Sequence, residues 1–347
     1  MSISWIAKSL GLDPAVISVV PISTDASFRH YYRVFTAMPT EVQSVSCQRR
    51  LASSPTIQSY VWMVSPPQLE NPAPFVHINH MWRVFGLPVP TIHAIEWTEG
   101  WLLLDDFGDA LYATLLTEDT ADRLYQTALH ALSLLSQAPE PPEHSYPSFN
   151  IPFMWKEIGY FTEWFLPHHI RYLLSASEEM ALKTEVESIL QNIVSQPQGV
   201  VHRDYHSRNL LQTPTGLGIL DFQDAVRGPL LYDPASLLKD AYIAWPEEKV
   251  WDWLRFFCRH SALHSVPFST CVEWFDFVCL QRHLKVLGIF ARLAYRDQKK
   301  RYLDDMPRVA NYITQTLSRY TMFPALTALF QNHITPFMIQ WEEKCVP

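Results

Sequence analysis

The chain reads as an α+β fold in two lobes, a small β-rich lobe over residues 1–105 and a larger, mainly helical lobe over 106–347. Three observations predict this. The first hundred residues hold several short runs of β-branched and aromatic residues bounded by Pro, Ser and Gly, the pattern of strands and turns. From about residue 110 the apolar spacing becomes helical. Within that helical stretch, a polar loop at 202–209 is followed at once by two short apolar runs around Pro214-Thr215-Gly216, which reads as a hairpin.

Residues 2–10 and 14–18 read as two short helical pieces split by Gly11 and Asp13-Pro14. Strands are expected at Val19–Ile22 and Tyr31–Phe35, then a long Ser/Thr/Pro-rich connection at 36–59, then a third strand at Tyr60–Val64. Phe75, Ile78, Met81, Trp82 and Phe85 fall at helical spacing, so a helix is expected at about 73–85, ending at Gly86. Strands follow at 91–97 and 101–105, the second running into a hinge at Asp105-Asp106-Phe107-Gly108. A Pro-rich connector, Pro139 to Pro152, separates two later helices.

Composition narrows the function classes. The 347 residues are 48% hydrophobic and 18% charged, enough apolar content for a packed core. Net charge is −8 and no basic cluster exceeds Lys299-Lys300-Arg301, which argues against a nucleic-acid partner. No signal-like start or long apolar run is present, so no membrane role is expected. The five cysteines are scattered without a C-x-x-C pair, as in a reducing compartment, and a cytoplasmic protein without an obligate protein partner is expected. His260 and His264 have metal-ligand spacing but no third ligand in sight, so packing is their expected role.

The chemistry lies in His202-Arg203-Asp204-Tyr205-His206-Ser207-Arg208-Asn209, followed twelve residues later by Asp221-Phe222. An Asp, an Asn five positions on and a second Asp after a hairpin are what kinase-type phosphoryl transfer requires. Asp204 is the candidate catalytic residue, orienting an attacking hydroxyl and accepting its proton. Asn209 and Asp221 are the candidate metal ligands, for the Mg²⁺ that bridges nucleotide phosphates. The arrangement is that of a bilobal protein-kinase-like fold, with ATP expected in the cleft between the lobes.

Absences restrict the substrate. No Gly occurs between Gly11 and Gly86, so a Gly-rich phosphate loop is excluded. No Lys occurs between Lys8 and Lys156, so the third-strand Lys of protein kinases is missing. Eleven residues separate Asp221 from Asp233, too few for a peptide-binding activation segment. A small-molecule acceptor is therefore expected. Ser27, Arg29 and Arg33 are candidate nucleotide contacts in place of the missing Lys, with Asp105 and Phe107 at the hinge. His206, Arg208 and Asp224 are candidate substrate contacts. Asp224 has a second reading as the cap of a following helix, and Asp233 reads as a helix N-cap before Pro234 or as a brace for the loop.

Four strings carry a resemblance: Asp25-Ala26-Ser27-Phe28-Arg29-x-Tyr31, the 202–209 loop, Asp221-Phe222-Gln223-Asp224-Ala225, and the stretch from Gln281 to Arg292. They resemble the bacterial N-acetylmuramate/N-acetylglucosamine anomeric kinases, cell-wall-recycling enzymes of the aminoglycoside phosphotransferase superfamily. The similarity runs in order from about residue 20 to residue 315. It implies transfer of the ATP γ-phosphoryl to the anomeric hydroxyl of an N-acetylated amino sugar. It also implies that Glu157 lies in a substrate-facing helix. The chain departs from the family at Met63-Val64-Ser65-Pro66-Pro67, which lacks a carboxylate, and in the length of the 36–59 connection. Two other readings stand beside it: a kinase of this fold acting on another hydroxyl, such as an aminoglycoside or choline, and a catalytically weak nucleotide-binding regulator.

Overall fold

The computed structural model describes residues 2–22, 28–37 and 57–345. Ser27, and all but the two ends of the 36–59 connection, lie outside the described residues. The chain forms two compact units. The first comprises Met1–Asp109 and Thr213–Gln223, and the second Ala110–Gln212 and Asp224–Pro347.

The first unit begins with helix α1 (Ser2–Leu10). The Asp13 carboxylate then accepts the Ala15 N–H at 2.9 Å and starts a 3₁₀ turn, Pro14–Val16. The second helical piece expected to residue 18 stops there. Ile17, Val19 and Val20 favour a pleated backbone and enter strand β1 (Ile17–Pro21), paired with β2 (His30–Ala37). Strand β3 (Ile57–Val64) precedes helix α2 (Ala73–Val84), and β4 (Ile92–Glu96) and β5 (Trp101–Asp105) complete an antiparallel sheet of order β1-β2-β3-β5-β4.

Register decides which side chains meet. Tyr32 lies opposite Trp62, and Trp62 opposite Leu103. Ile17, Val34, Trp62 and Leu103 thereby cluster with Ile6 and Ala7 of α1, while Tyr32 stacks on Trp62 at 4.9 Å. Gly100, at φ +66°, is required by space as well as conformation: a Cβ there would lie 1.8 Å from the Ser65 carbonyl oxygen. Helix α2 buries Phe75, Ile78 and Trp82. In the returning segment, the Ile219 N–H donates to Pro88 at 2.9 Å. Phe222 is fully buried, stacked on Phe75 at 4.7 Å and beside Trp82 at 5.4 Å.

The second unit is mainly helical. Helices α3 (Tyr112–Leu115), α4 (Ala121–Leu135) and α5 (Ile151–Tyr160) come first, with the Pro-rich connector between the last two. A wide π-helical segment, Phe161–Ile170, holds Pro167 and ends at Arg171 in the left-handed region. Helix α6 (Ala176–Ser195) opens with a reciprocal Ser175/Glu178 capping box. Strand β6 (Gln198–Val201) leads to the polar loop. Strand β7 (Leu210–Thr213) ends this stretch; the turn, where Thr213 Oγ1 donates to the Gly216 carbonyl at 3.0 Å, and strand β8 (Gly216–Ile219) belong to the first unit. Strand β9 (Val226–Pro229) pairs antiparallel with β6. Helices α7 (Tyr232–Leu238), α8 (Glu247–His260), α9 (Phe268–Tyr295), α10 (Met306–Leu317), α11 (Pro324–Leu329) and α12 (Thr335–Cys345) follow.

Helix α9 is the axis of this unit and is buried through most of its length, including Asp276, Gln281, Arg282, His283 and Lys285. It passes so close to the end of α5 that a Cβ at Gly288 would lie 2.3 Å from the Tyr160 carbonyl carbon. Among the described residues no helix is long and apolar enough to cross a membrane.

Candidate active site

The loop after β6 is fastened at its backbone. The N–H groups of His202 and Arg203 donate to the two carboxylate oxygens of Asp233, at 2.7 and 2.9 Å. Those two donors, with Arg203 in the left-handed region at φ 76°, turn the chain sharply just ahead of Asp204. The Ser207 N–H donates to Asp240 at 2.9 Å, and the Tyr205 hydroxyl to the Ala128 carbonyl at 2.9 Å. Asn209 Nδ2 donates to the Asp204 carbonyl at 2.9 Å, which sets the Asn209 amide against Asp204. From α9, Arg282 donates to the Arg203 carbonyl at 2.8 Å. The loop is therefore anchored to α4, to α7 and the residues just after it, and to α9, with one bond across the loop itself.

Asp233 sits inside α7, whose N-cap is Leu231, so the N-cap reading is corrected in favour of the brace. Both its oxygens are needed by loop amides, and neither is left for its own helix. Burial pushes the Asp233 carboxyl up to about 7, helped by the charge of Asp204 and opposed by the two N–H donors and Arg282. Raised above the unfolded value, this group favours the folded state below the ordinary carboxylate range, and the contribution is lost as pH rises to about 7. The stability of the wild type relative to Asp233→Asn is therefore expected to decline between about pH 4 and pH 7, measured by thermal melts across that range. A difference between the two proteins that stays flat with pH would contradict it.

Asp204 is part-exposed, and its environment is electropositive. Burial alone would raise its carboxyl, but Lys285, Arg282, His206 and Arg203 outweigh burial and hold it well below the usual carboxylate range. It is a fixed anion and a weak base. Behind it lies a buried polar network: Glu157 accepts from Arg203 at 2.7 Å, from Gln281 at 2.9 Å and from Lys285 at 3.0 Å. Burial works against ionised Glu157, while Lys285 and Arg203 prevail and lower its carboxyl. Glu157 is 4% exposed. The expectation that it faces a sugar is therefore corrected: its oxygens serve the residues that position the loop.

Asp221 lies in the first unit, exposed and at φ 62°, with its Oδ1 accepting from Gln223 at 2.9 Å. A left-handed Asp is tolerated more readily than most residues. Its neighbour Phe222, packed against α2, fixes the strained position. Asp224 is also exposed, and strand β9, not a helix, follows it, so its capping role falls away.

The nucleotide candidates are engaged inside their own unit. Arg29 is 3% exposed and ion-paired with Glu70 at 2.7 Å. Arg33 forks onto Asp109, with both contacts at 2.8 Å, and meets Asp106 at 2.8 Å. Each guanidinium, offered from sequence as a candidate phosphate contact, thus has carboxylate partners within its own unit. Asp105 accepts from the Thr91 N–H at 2.8 Å and contacts His93 at 2.7 Å, so it stabilises the approach to β4. The Phe107 ring lies against Gly218, where a Cβ would come within 2.5 Å. Of the substrate candidates, His206 packs edge-on against Tyr242 and the Arg208 guanidinium lies 3.5 Å from the same ring, 3.8 Å from Asp305.

Asp240, Gln281, Arg282, Lys285 and Tyr242 were not singled out from sequence as site residues. A signal existed for four of them: charged or amide groups within apolar runs, as in Leu237-Leu238-Lys239-Asp240 and Leu280-Gln281-Arg282-His283-Leu284-Lys285. Such groups survive burial only when paired.

The units define a kinase-like phosphotransferase fold. Solved structures with this fold include an ethanolamine kinase of Plasmodium vivax (TM-score 0.59, 13% identity, 90% of this chain and 85% of that one). An ADP-bound aminoglycoside phosphotransferase is also similar (TM-score 0.55, 14% identity, 93% and 98%). The model of the phosphotransferase enzyme family matches residues 18–265. The N-acetylmuramate/N-acetylglucosamine kinase of Pseudomonas putida is 35% identical, with 87% of this chain and 84% of the relative covered. That of Pseudomonas aeruginosa is 33% identical, with 91% and 88% covered. The chain belongs to the phosphotransferase enzyme family and, within it, to the N-acetylmuramate/N-acetylglucosamine kinase group.

Proposed function

We propose that the chain transfers the γ-phosphoryl group of ATP to the anomeric hydroxyl of N-acetylmuramate or N-acetylglucosamine, giving a sugar 1-phosphate. The observation that carries this reading is Asp204, an anion on a loop braced at four points, in a chain whose relatives bear those sugars in their names. The ADP held by a neighbour of the same fold supports the nucleotide.

Asp204 aligns the attacking oxygen with the γ-phosphorus and takes its proton late. A weak base suffices, because an anomeric hydroxyl is more acidic than an ordinary alcohol. Asn209 and Asp221 offer the hard oxygen donors that Mg²⁺ prefers, and the exposed Asp221 carboxylate suits a cation brought in with a nucleotide. When bound, Mg²⁺ neutralises the charge that develops on the phosphates. Arg208 and His206, set around Tyr242 beside the base, are the groups best placed to meet the sugar. ADP release measured against both sugars, kanamycin and choline tests the reading, with ³¹P NMR of the product. An anomeric phosphate is expected; turnover with kanamycin or choline alone would overturn it.

A further inference from the structure

The chain has no Lys between residues 8 and 156, yet its first unit, which also holds Asp221, contains a buried cation. Arg29 enters β2 one residue ahead of His30 and is 3% exposed. Its Nη2 meets Glu70, which precedes α2, at 2.7 Å, and the guanidinium lies 5.8 Å from the ring of Phe75 in α2. Phe75 in turn stacks on Phe222 at 4.7 Å and 29°, directly beside Asp221 in the chain. Arg29, Glu70, Phe75 and the Asp221-Phe222 pair therefore form one chain of contacts within one unit.

A phosphate ligand must be able to present its guanidinium to a solute. Arg29 is too buried to do so and already has a carboxylate partner. What it can do is fix α2 and β2 in the relation that Phe222 reads through Phe75. Asp221, in the left-handed region at φ 62°, is steadied by its neighbour Phe222, whose ring is packed on Phe75 and Trp82.

We propose that the Arg29–Glu70 ion pair is a positioning element for Asp221: it locks Phe75 against Phe222 and so presents the Asp221 carboxylate to the divalent cation that accompanies the nucleotide. This rests on the phosphotransferase reading of Asp221, not on the identity of the sugar. The arginine thus takes over the ion-pairing part of the missing lysine's work and leaves phosphate binding to other groups.

The test uses the full chain and its Arg29→Gln, Arg29→Lys and Glu70→Gln variants. Mn²⁺ binding in the presence of saturating ADP is followed by electron paramagnetic resonance, beside kcat and the ATP KM. Supports one layer behind a metal ligand are worth about 10- to 100-fold in affinity or activity, so Arg29→Gln and Glu70→Gln should each weaken Mn²⁺ by about that factor. The ATP KM at saturating metal should change little, and Arg29→Lys should restore most of the Mn²⁺ affinity. Glu70, the more exposed partner, keeps the test open if Arg29→Gln does not fold. A raised ATP KM with unchanged Mn²⁺ affinity would make Arg29 a phosphate contact and overturn the proposal. So would a lowered melting temperature with Mn²⁺ affinity intact. A wild type that binds Mn²⁺ and ADP but phosphorylates neither sugar would sink the sugar reading alone.

Discussion

Asp204→Asn is expected to lower turnover by about 10²- to 10⁴-fold, the range ascribed to a positioned general base, while ADP binding persists. The substitution keeps the size of the side chain and the anchors of the loop, because those anchors run through the backbone of residues 202–207 and the Asn209 amide. What it removes is the anion facing Lys285, Arg282 and Arg203. Isothermal titration with ADP separates the two quantities. Turnover within tenfold of wild type would refute the catalytic assignment. The low basicity of Asp204 has a second consequence for kinetics. A carboxylate already ionised throughout the working range adds no acid limb to the pH profile above about pH 4.

The second large effect is on stability. Glu157→Gln removes the counter-charge of buried Lys285 and part-buried Arg203, and breaking a buried pair in this way typically costs about 3–5 kcal/mol. Urea denaturation should show the loss as a lower midpoint with an unchanged slope. The double variant Glu157→Gln with Lys285→Met should be less destabilised than Glu157→Gln alone, because one of the stranded charges is gone. A double variant that loses the sum of both single effects would mean that the two residues do not act as a pair. Lys285→Met alone should also raise the Asp204 carboxyl, since Lys285 is the foremost charge holding it down.

Much of the fold is legible in the residues themselves, because its main elements are local. The strands around Tyr31–Phe35 and Trp101–Asp105 and the helix at Ala73–Val84 follow from periodicity and from Gly86 as a stop. The 202–209 loop is legible because its chemistry is written consecutively. The partners of buried charges are less so. Nothing near Glu157 indicates that Arg203, Gln281 and Lys285 will converge on it from positions more than forty residues away, and a Glu beside a Lys on a helix looks like a solvated face. Arg29 is the same case: its partner Glu70 comes only after β2, the long connection and β3. At Asp233 a local signal was present but pointed the wrong way. Pro234 argued for a cap, whereas the carboxylate is claimed by two amides thirty residues upstream.

The return of Thr213–Gln223 to the first unit has a consequence for how the protein is made. The sheet and α2 are complete in the nascent chain by residue 105, but Phe75 and Trp82 lack the ring that covers them until Phe222 has been synthesised. At ribosomal speeds that interval is on the order of ten seconds, during which an apolar surface stands uncovered. The N-terminal unit is therefore finished only after most of the second unit's loop and helix α6 have emerged. A chain that ends before residue 222 therefore lacks the ring that completes the packing of α2.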